Sequence, residues 1–294
     1  MDVSIIIVNY KTPNLLLNCI KSIFSETVAI NFEIIVVDNN SNDGSRALIN
    51  NNYPAVNYIQ SNSNLGFGKA NNLGIKSANG RNIFFLNSDT ILISNAVKIL
   101  SDFLDGNENV GVCGGNLFDM NKNPTHSYLK VFPGFFSELN QVLFSVYTNF
   151  FLKNSFFNHG EKPIKVSYIT GANMMVKRSI INSIGGFDPD FFLYFEETEL
   201  QFRIYNSGFK IMNLPNSKII HLEGASSTFH EKKIQLYLQS YKLYLKKIYK
   251  FNFLKHLTIF LFKVKCYIFL IINIIRNDKQ KFEYWKVNLK IINQ

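Results

Sequence analysis

Two stretches near the N-terminus, Val3-Ser4-Ile5-Ile6-Ile7-Val8 and Phe32-Glu33-Ile34-Ile35-Val36-Val37, are almost unbroken runs of apolar, mostly β-branched residues. A strand with one wet face alternates apolar and polar residues. Runs without alternation suit strands covered on both faces, as in parallel sheets. Between them, Leu16, Ile20 and Ile23/Phe24 recur at helical spacing after Thr12-Pro13. Thr12 is expected to cap this helix and Pro13 to take its first position. The segment predicts a βαβ unit in an α/β fold. A third apolar run, Ile83-Phe84-Phe85-Leu86, predicts another short strand.

Two of these runs lead into polar turns, Asp38-Asn39-Asn40-Ser41 and Asn87-Ser88-Asp89. Open α/β sheets bind ligands at the C-terminal edge of their strands. Asp89 there can hold a divalent cation against a diphosphate. The local alternative is a plain turn, because Asn, Ser and Asp favour turns. For Asp38 the alternative is a cap on the Ser41–Ser45 loop. Gly66-Phe67-Gly68 imitates a dinucleotide fingerprint, but the third glycine position holds Asn71 and the first strand has no glycine-rich turn. Rossmann-type NAD binding and a Walker ATPase are therefore not expected.

Glu196, Glu197 and Glu199 place three carboxylates within four positions, directly after Phe191-Phe192-Leu193-Tyr194-Phe195. Acids favour a first helical turn, so a solvated helix start is one reading. The apolar run supplies the other: a carboxylate desolvated beside it gains proton affinity and suits a general base. Further on, Ile219-Ile220-His221 repeats the strand-then-polar pattern. A lone histidine is ordinarily structural, although imidazole nitrogen is an acceptable ligand for Mn²⁺.

The order of these segments resembles glycosyltransferase family 2, with the GT-A fold, and within it the bacterial rhamnosyltransferase-like branch. The resemblance runs from Val3 to about Tyr249. It rests on Ile7-Val8-Asn9-Tyr10, Val37 to Ser41, Asn64 to Gly74, Phe85 to Asp89, Gly171-Ala172-Asn173-Met174, Gly185-Gly186-Phe187-Asp188, Phe195 to Leu200 and His221. It implies a Rossmann-like, mostly parallel sheet flanked by helices. Val8, Asn9, Tyr10, Asp38, Asn40, Asn72, Asn87, Ser88 and Asp89 would bind the nucleotide-sugar. Asp89 and His221 would bind a divalent cation, Mn²⁺ or Mg²⁺. Gly171, Ala172 and Glu196 would lie where donor sugar and acceptor meet, and Glu197 would be the catalytic base of a single, inverting displacement. The donor would be a dTDP- or UDP-sugar, rhamnose favoured, and the acceptor a growing bacterial surface glycan, lipid-linked. The chain departs from the family in having Glu at 197 and 199 where Asp is usual, Asn87 as the first member of the D-x-D element, and Asn71 where Arg is frequent.

Residues 1–230 are expected to form the catalytic domain, its nucleotide half about 1–115 and its acceptor half about 116–230, and the family resemblance implies acceptor recognition in the Phe-rich stretch His126–Lys165 and in the C-terminal part. Residues 231–294 form a basic helical extension. They hold 14 Lys+Arg against 3 Asp+Glu, a net of +11, whereas residues 1–230 hold 17 against 18. Ile234, Tyr237, Leu238, Tyr241, Leu245 and Ile248 predict an amphipathic helix. Leu257–Ile275 is long enough to span a bilayer, but Lys263 and Lys265 would each cost about 2.5–3.5 kcal/mol at its centre. An interfacial helix on anionic lipid is preferred, with a partner helix or dimer surface as the alternative. Nucleic acid is not an expected partner, because the tail is too apolar and carries no binding motif. No signal peptide is visible after Met1-Asp2, and Cys19, Cys113 and Cys266 form no disulfide or metal spacing, which fits a cytoplasmic site at the inner membrane face. Two rival readings are a nucleotidyltransferase and a catalytically decayed, membrane-bound scaffold.

Overall fold

A computed structural model describes residues 1–145, 156–222 and 231–294. In chain order the elements are β1 (Val3–Asn9), α1 (Pro13–Glu26), β2 (Phe32–Asp38), α2 (Ser45–Asn52), β3 (Asn57–Gln60), α3 (Phe67–Ser77), β4 (Asn82–Asn87), β5 (Thr90–Leu92), α4 (Ala96–Asp105) and β6 (Val110–Phe118). There follow β7 (Tyr128–Leu129), α5 (Phe135–Val142), β8 (Ile164–Val166), β9 (Tyr168–Ile169), β10 (Asn173–Lys177), α6 (Arg178–Ile184), α7 (Glu196–Asn206) and β11 (Lys210–His221). The last three helices are α8 (Glu231–Ile248), α9 (Asn252–Ile275) and α10 (Lys279–Ile292). Part of the expected acceptor stretch, residues 146–155, lies outside the described residues.

The chain divides into two compact units. The first comprises Met1–Lys130, Phe156–Phe192 and the described part of Glu196–Ala225. Its sheet runs in the order β3-β2-β1-β4-β10-β6-β11-β5, with β8 also paired to β11. β3, β2, β1, β4, β6 and β11 point one way, and β10, β5 and β8 run against them. The sheet is thus mostly parallel, as the unalternating strands predict. Ile5 and Ile7 join the main core cluster with Leu16, Ile20 and Ile23 of α1, while the intervening Ile6 is also fully buried. Both faces of β1 are therefore covered. Phe24, expected on the apolar face of α1, is instead 42% exposed; its ring stacks on Tyr53 at 5.1 Å.

The register is what positions the site. β1 pairs with β2 from Val3↔Phe32 to Asn9↔Asp38, and with β4 up to Val8↔Asn87. Asn9, Asp38 and Asn87 therefore emerge together at the C-terminal edge.

The second unit contains Leu193–Phe195 and the described parts of Val131–Ser155 and Ser226–Gln294. Its centre is aromatic: Phe195 lies 5.3 Å from both Tyr241 and Tyr244, stacked on each. Glu138 of α5, buried, accepts hydrogen bonds from the Tyr241 hydroxyl at 2.8 Å and from Lys265 Nζ of α9 at 2.6 Å. Lys265 also reaches Gln141 Oε1 at 3.0 Å and lies 4.2 Å from the centre of the Phe262 ring. A buried pair of this kind is costly to break from one side, because the remaining charge is left unpaired. We expect Lys265→Ala to lower unfolding stability by about 3–5 kcal/mol. Lys265→Met with Glu138→Gln, which keeps an acceptor for Tyr241, should restore most of it. Urea unfolding followed by the lone tryptophan, Trp285, reads both.

Candidate active site

Asn9, at the end of β1, is the hub of the edge. Its buried Nδ2 donates to Asp38 Oδ1 at 2.8 Å and lies 3.2 Å from Ser41 Oγ and 3.0 Å from Ser45 Oγ. Its Oδ1 accepts from Thr12 Oγ1 at 2.9 Å, and that hydroxyl meets Ser88 Oγ at 3.0 Å. Thr12 was expected to cap α1. It makes no side-chain cap bond and instead ties the first turn to Ser88, because its backbone lies outside the usual cap conformation. Pro13 does begin the helix.

Asp38 is buried and accepts two further hydrogen bonds, from the Ser41 amide at 3.0 Å and Gln60 Nε2 at 2.6 Å. Burial pushes its carboxyl up, but hydrogen bonds from Ser41, Gln60 and Asn9 outweigh this and hold it below the ordinary aspartate value. It is a fixed anion and a turn cap at once. Asn40 follows with φ of 63°, and Tyr10 stands exposed at the rim with Lys11 over its ring. Val8 lies between Val37 and Asn87 in the sheet.

Asp89 and His221 meet because β5 pairs antiparallel with the end of β11, with Thr90 opposite His221. His221 Nε2 lies 3.3 Å from Asp89 Oδ1 and 3.4 Å from Asn87 Nδ2. Nε2 cannot both donate to Asp89 and accept from Asn87. With its lone pair free, it offers a nitrogen donor beside a carboxylate oxygen, a set that suits Mn²⁺. Among the described residues no group of three His, Cys, Asp or Glu could hold a metal. A cation here would have two protein ligands and take others from a bound diphosphate. Beneath this edge the buried Cys19 thiol contacts the Asn87 carbonyl at 3.6 Å, and burial pushes that thiol up to about 12, so it stays neutral.

The line of contacts continues to the carboxylates. The Asn87 amide donates to the Ala172 carbonyl at 3.1 Å. A Cβ on the neighbouring Gly171 would lie 3.3 Å from Glu197 Cγ, so the glycine lets the backbone approach that side chain. Gln201 of α7 locks this approach: its amide donates to the Ile169 carbonyl and accepts from the Ile169 amide, both at 2.8 Å. Glu199, in contrast, is structural. It pairs through both oxygens with Arg203 at 2.8 and 2.9 Å, and Arg203 donates to the carbonyls of Ile184 and Gly186.

Glu196 is buried, and its Oε2 has no hydrogen-bond partner. Burial first, and then the neighbouring Glu197 charge, push its carboxyl well above the ordinary value. Glu197 keeps partial access to solvent, yet burial raises its carboxyl too, against hydrogen bonds from the first turn of α7. Tyr194 and Phe195, just before them, both have positive φ (71° and 68°), a strained conformation for aromatic residues.

The Gly66-x-Gly68 segment proves to be architecture. Gly66 has φ of 80°, and a Cβ there would lie 2.2 Å from the Phe192 carbonyl oxygen, which accepts from the Phe67 amide at 2.9 Å. Asn72 is committed nearby. Its side chain donates to the Phe187 carbonyl at 2.7 Å and accepts from the Phe187 amide at 2.9 Å. Sequence reasoning missed Thr12, Ser45 and Gln60 as supports of Asn9 and Asp38. Only their proximity to strand ends marks them.

The mostly parallel sheet flanked by helices is a GT-A fold. The chain belongs to glycosyl transferase family 2, whose description matches residues 4–185, and is a glycosyltransferase. It is 27% identical over 261 residues to the low-salt glycan biosynthesis hexosyltransferase Agl10 of Haloferax volcanii, covering 81% of this chain and 72% of that protein. It is 25% identical over 219 residues to the dTDP-rhamnosyl transferase RfbF of Shigella flexneri, covering 74% and 68%. Among solved structures, the mannosyltransferase PcManGT of Pyrobaculum calidifontis, in complex with GDP-Man and Mn²⁺, superimposes with a TM-score of 0.61 over 99% of this chain and 84% of that one, at 13% identity. The family membership leaves the nucleotidyltransferase reading without support.

The raised carboxyls have a consequence for stability. The native state holds these protons more tightly than the unfolded chain does, so the contribution of these two groups to stability is greatest below the ordinary glutamate value of 4.5 and falls as pH rises above it. Glu196→Gln stays neutral throughout. We expect its thermal midpoint at pH 7 to exceed the parent's by about 2–4 °C, with the gap closing below pH 4.5. A gap that persists at low pH would mean that ionisation is not its cause.

Proposed function

We propose that the enzyme is an inverting transferase that moves rhamnose from a dTDP-sugar to a growing bacterial surface glycan. The observation that carries this reading is the unbroken run of contacts from Asp38 through Asn9, Thr12 and Ser88, and from Asn87 through Ala172 to Gly171 and Glu197. It links Asp38, Asn87 and Glu197 within one unit, which supports reading them as a nucleotide-holding edge with a base beside it. The name of the Shigella relative supports the donor, and that of the Haloferax relative supports glycan assembly.

In this reading Asp38 accepts hydrogen bonds from the nucleoside, and Val8 and Tyr10 line the base. Asp89 and His221 would hold a divalent cation, and the Mn²⁺ of the Pyrobaculum structure supports that choice. When bound, the cation supplies Lewis-acid stabilisation of the diphosphate leaving group. Glu197 takes the proton of an acceptor hydroxyl as that oxygen attacks the anomeric carbon. The bond from that carbon to the diphosphate oxygen breaks, and the nucleoside diphosphate leaves with the bonding electrons. One displacement by one base inverts the centre. Glu196, pushed toward its neutral form by burial, limits the negative charge beside Glu197.

Glu197→Gln should lower transfer about 10²–10⁴-fold while leaving nucleotide binding intact. Because the Glu197 carboxyl is raised and acts ionised, kcat/KM should climb with pH through a value above 4.5. Calorimetric titration of dTDP, UDP and GDP, each with and without Mn²⁺, tests the other half of the site. We expect metal-dependent binding of dTDP that Asp89→Ala abolishes. Transfer unaffected by Glu197→Gln would remove the base, and an indifferent Asp89→Ala would remove the metal site.

A further inference from the structure

The second unit carries a helix whose two faces are chemically opposed. On α9, Thr258, Phe262, Lys265, Cys266 and Asn273 are buried. Phe253, Phe260, Tyr267, Ile271 and Ile274 are each 56–72% exposed. At about 100° per residue these five fall within an arc of about 60°, on the side opposite the buried set. An isolated exposed apolar residue needs no explanation, but an apolar stripe along six turns, interrupted by the exposed His256, marks a contact surface.

We propose that α9 is an in-plane membrane anchor, with this stripe immersed at the headgroup–acyl boundary of an anionic bilayer. Three observations favour this occupant. First, the helix is long and apolar enough to cross a membrane by length and composition, yet its inner face is already engaged. Lys265 is locked to Glu138 and Gln141 of α5, and Phe269 stacks on Trp285 of α10 at 4.8 Å. Crossing the bilayer would carry that ion pair, with α5 and α10, into hydrocarbon. Second, Lys263 stands at one border of the stripe, about 60° from its centre, where an ammonium can reach lipid phosphates while its stem stays apolar. Third, residues 231–294 carry a net charge of +11. That charge is attracted to an anionic surface and opposes pairing of two copies through this region. An apolar stripe within a strongly basic segment is the composition of interfacial helices. The proposal does not depend on the donor or the acceptor of the reaction.

The test uses the full chain and co-flotation with vesicles of phosphatidylcholine, alone or with one third phosphatidylglycerol. We expect binding to the mixed vesicles, weakened by added salt, and little to the neutral ones. Phe260→Ser with Ile271→Ser should reduce that binding about tenfold or more, because it scales with immersed apolar area. Both positions are exposed, so the thermal midpoint and circular dichroism should match the parent's. Several outcomes would overturn the proposal. The parent could ignore anionic vesicles, or the double variant could bind as well as the parent. Light scattering could show a dimer that the double variant dissolves, which makes a second copy the occupant. Retention on vesicles through alkaline carbonate extraction would make α9 a spanning helix.

Discussion

The candidate active site depends on the register of three parallel strands. Parallel pairing admits many offsets, and each would deliver different residues to the rim. The offset found here sets Asn9 opposite Asp38 and Val8 opposite Asn87. It is enforced twice. Each strand buries side chains on both faces, so a shift by one residue would exchange the two core layers. At the rim, Asn9 Nδ2 is shared among Asp38, Ser41 and Ser45, and its oxygen takes the Thr12 hydroxyl that reaches Ser88. Both polar atoms of the Asn9 side chain are thereby engaged. This polar network is therefore a register lock at the rim of the candidate site.

The two ends of the site hold their carboxylates in opposite ways. Asp38 is buried but receives three donors, and it stays ionised. Glu196 is buried without a partner for Oε2 and resists ionisation, and Glu197 beside it is raised as well. One carboxyl is held in its charged form and the others are pushed toward their neutral form. The protein makes both states from carboxyl groups by supplying hydrogen bonds at one end and withholding them at the other. The positive φ of Tyr194 and Phe195 marks where backbone strain accompanies the second arrangement.

The sheet was legible because β-branched runs without alternation have one comfortable setting, and the strand ends then named Asp38 and Asp89. The partners that hold them were not. Thr12 has the identity and position of a helix cap, but its φ and ψ direct its hydroxyl to Asn9 and Ser88, a choice set by a turn 76 residues away. Gly66 and Gly68 looked like half of a phosphate loop, and Gly66 instead admits the Phe192 carbonyl, a long-range contact that no local pattern encodes. Glu199 stood among three equal acids until Arg203, one turn on, claimed both its oxygens. Local chemistry is written in spacing, whereas tertiary partners are not.

Lys265 shows the same limit in another form. Within an apolar stretch of helix, a lysine reads as a cost, and two of them argue against crossing a bilayer. In the folded unit the two lysines have different fates. Lys265 turns inward to Glu138, while Lys263, two residues and about 200° away, stays half-buried at the border of the exposed stripe. The pair therefore marks two faces of one helix. A charge buried with its partner fixes which side of α9 faces the unit, and that assignment leaves the apolar stripe as the side turned to the surroundings. The ion pair selects orientation more than it adds stability, the use for which buried ionic groups are best suited.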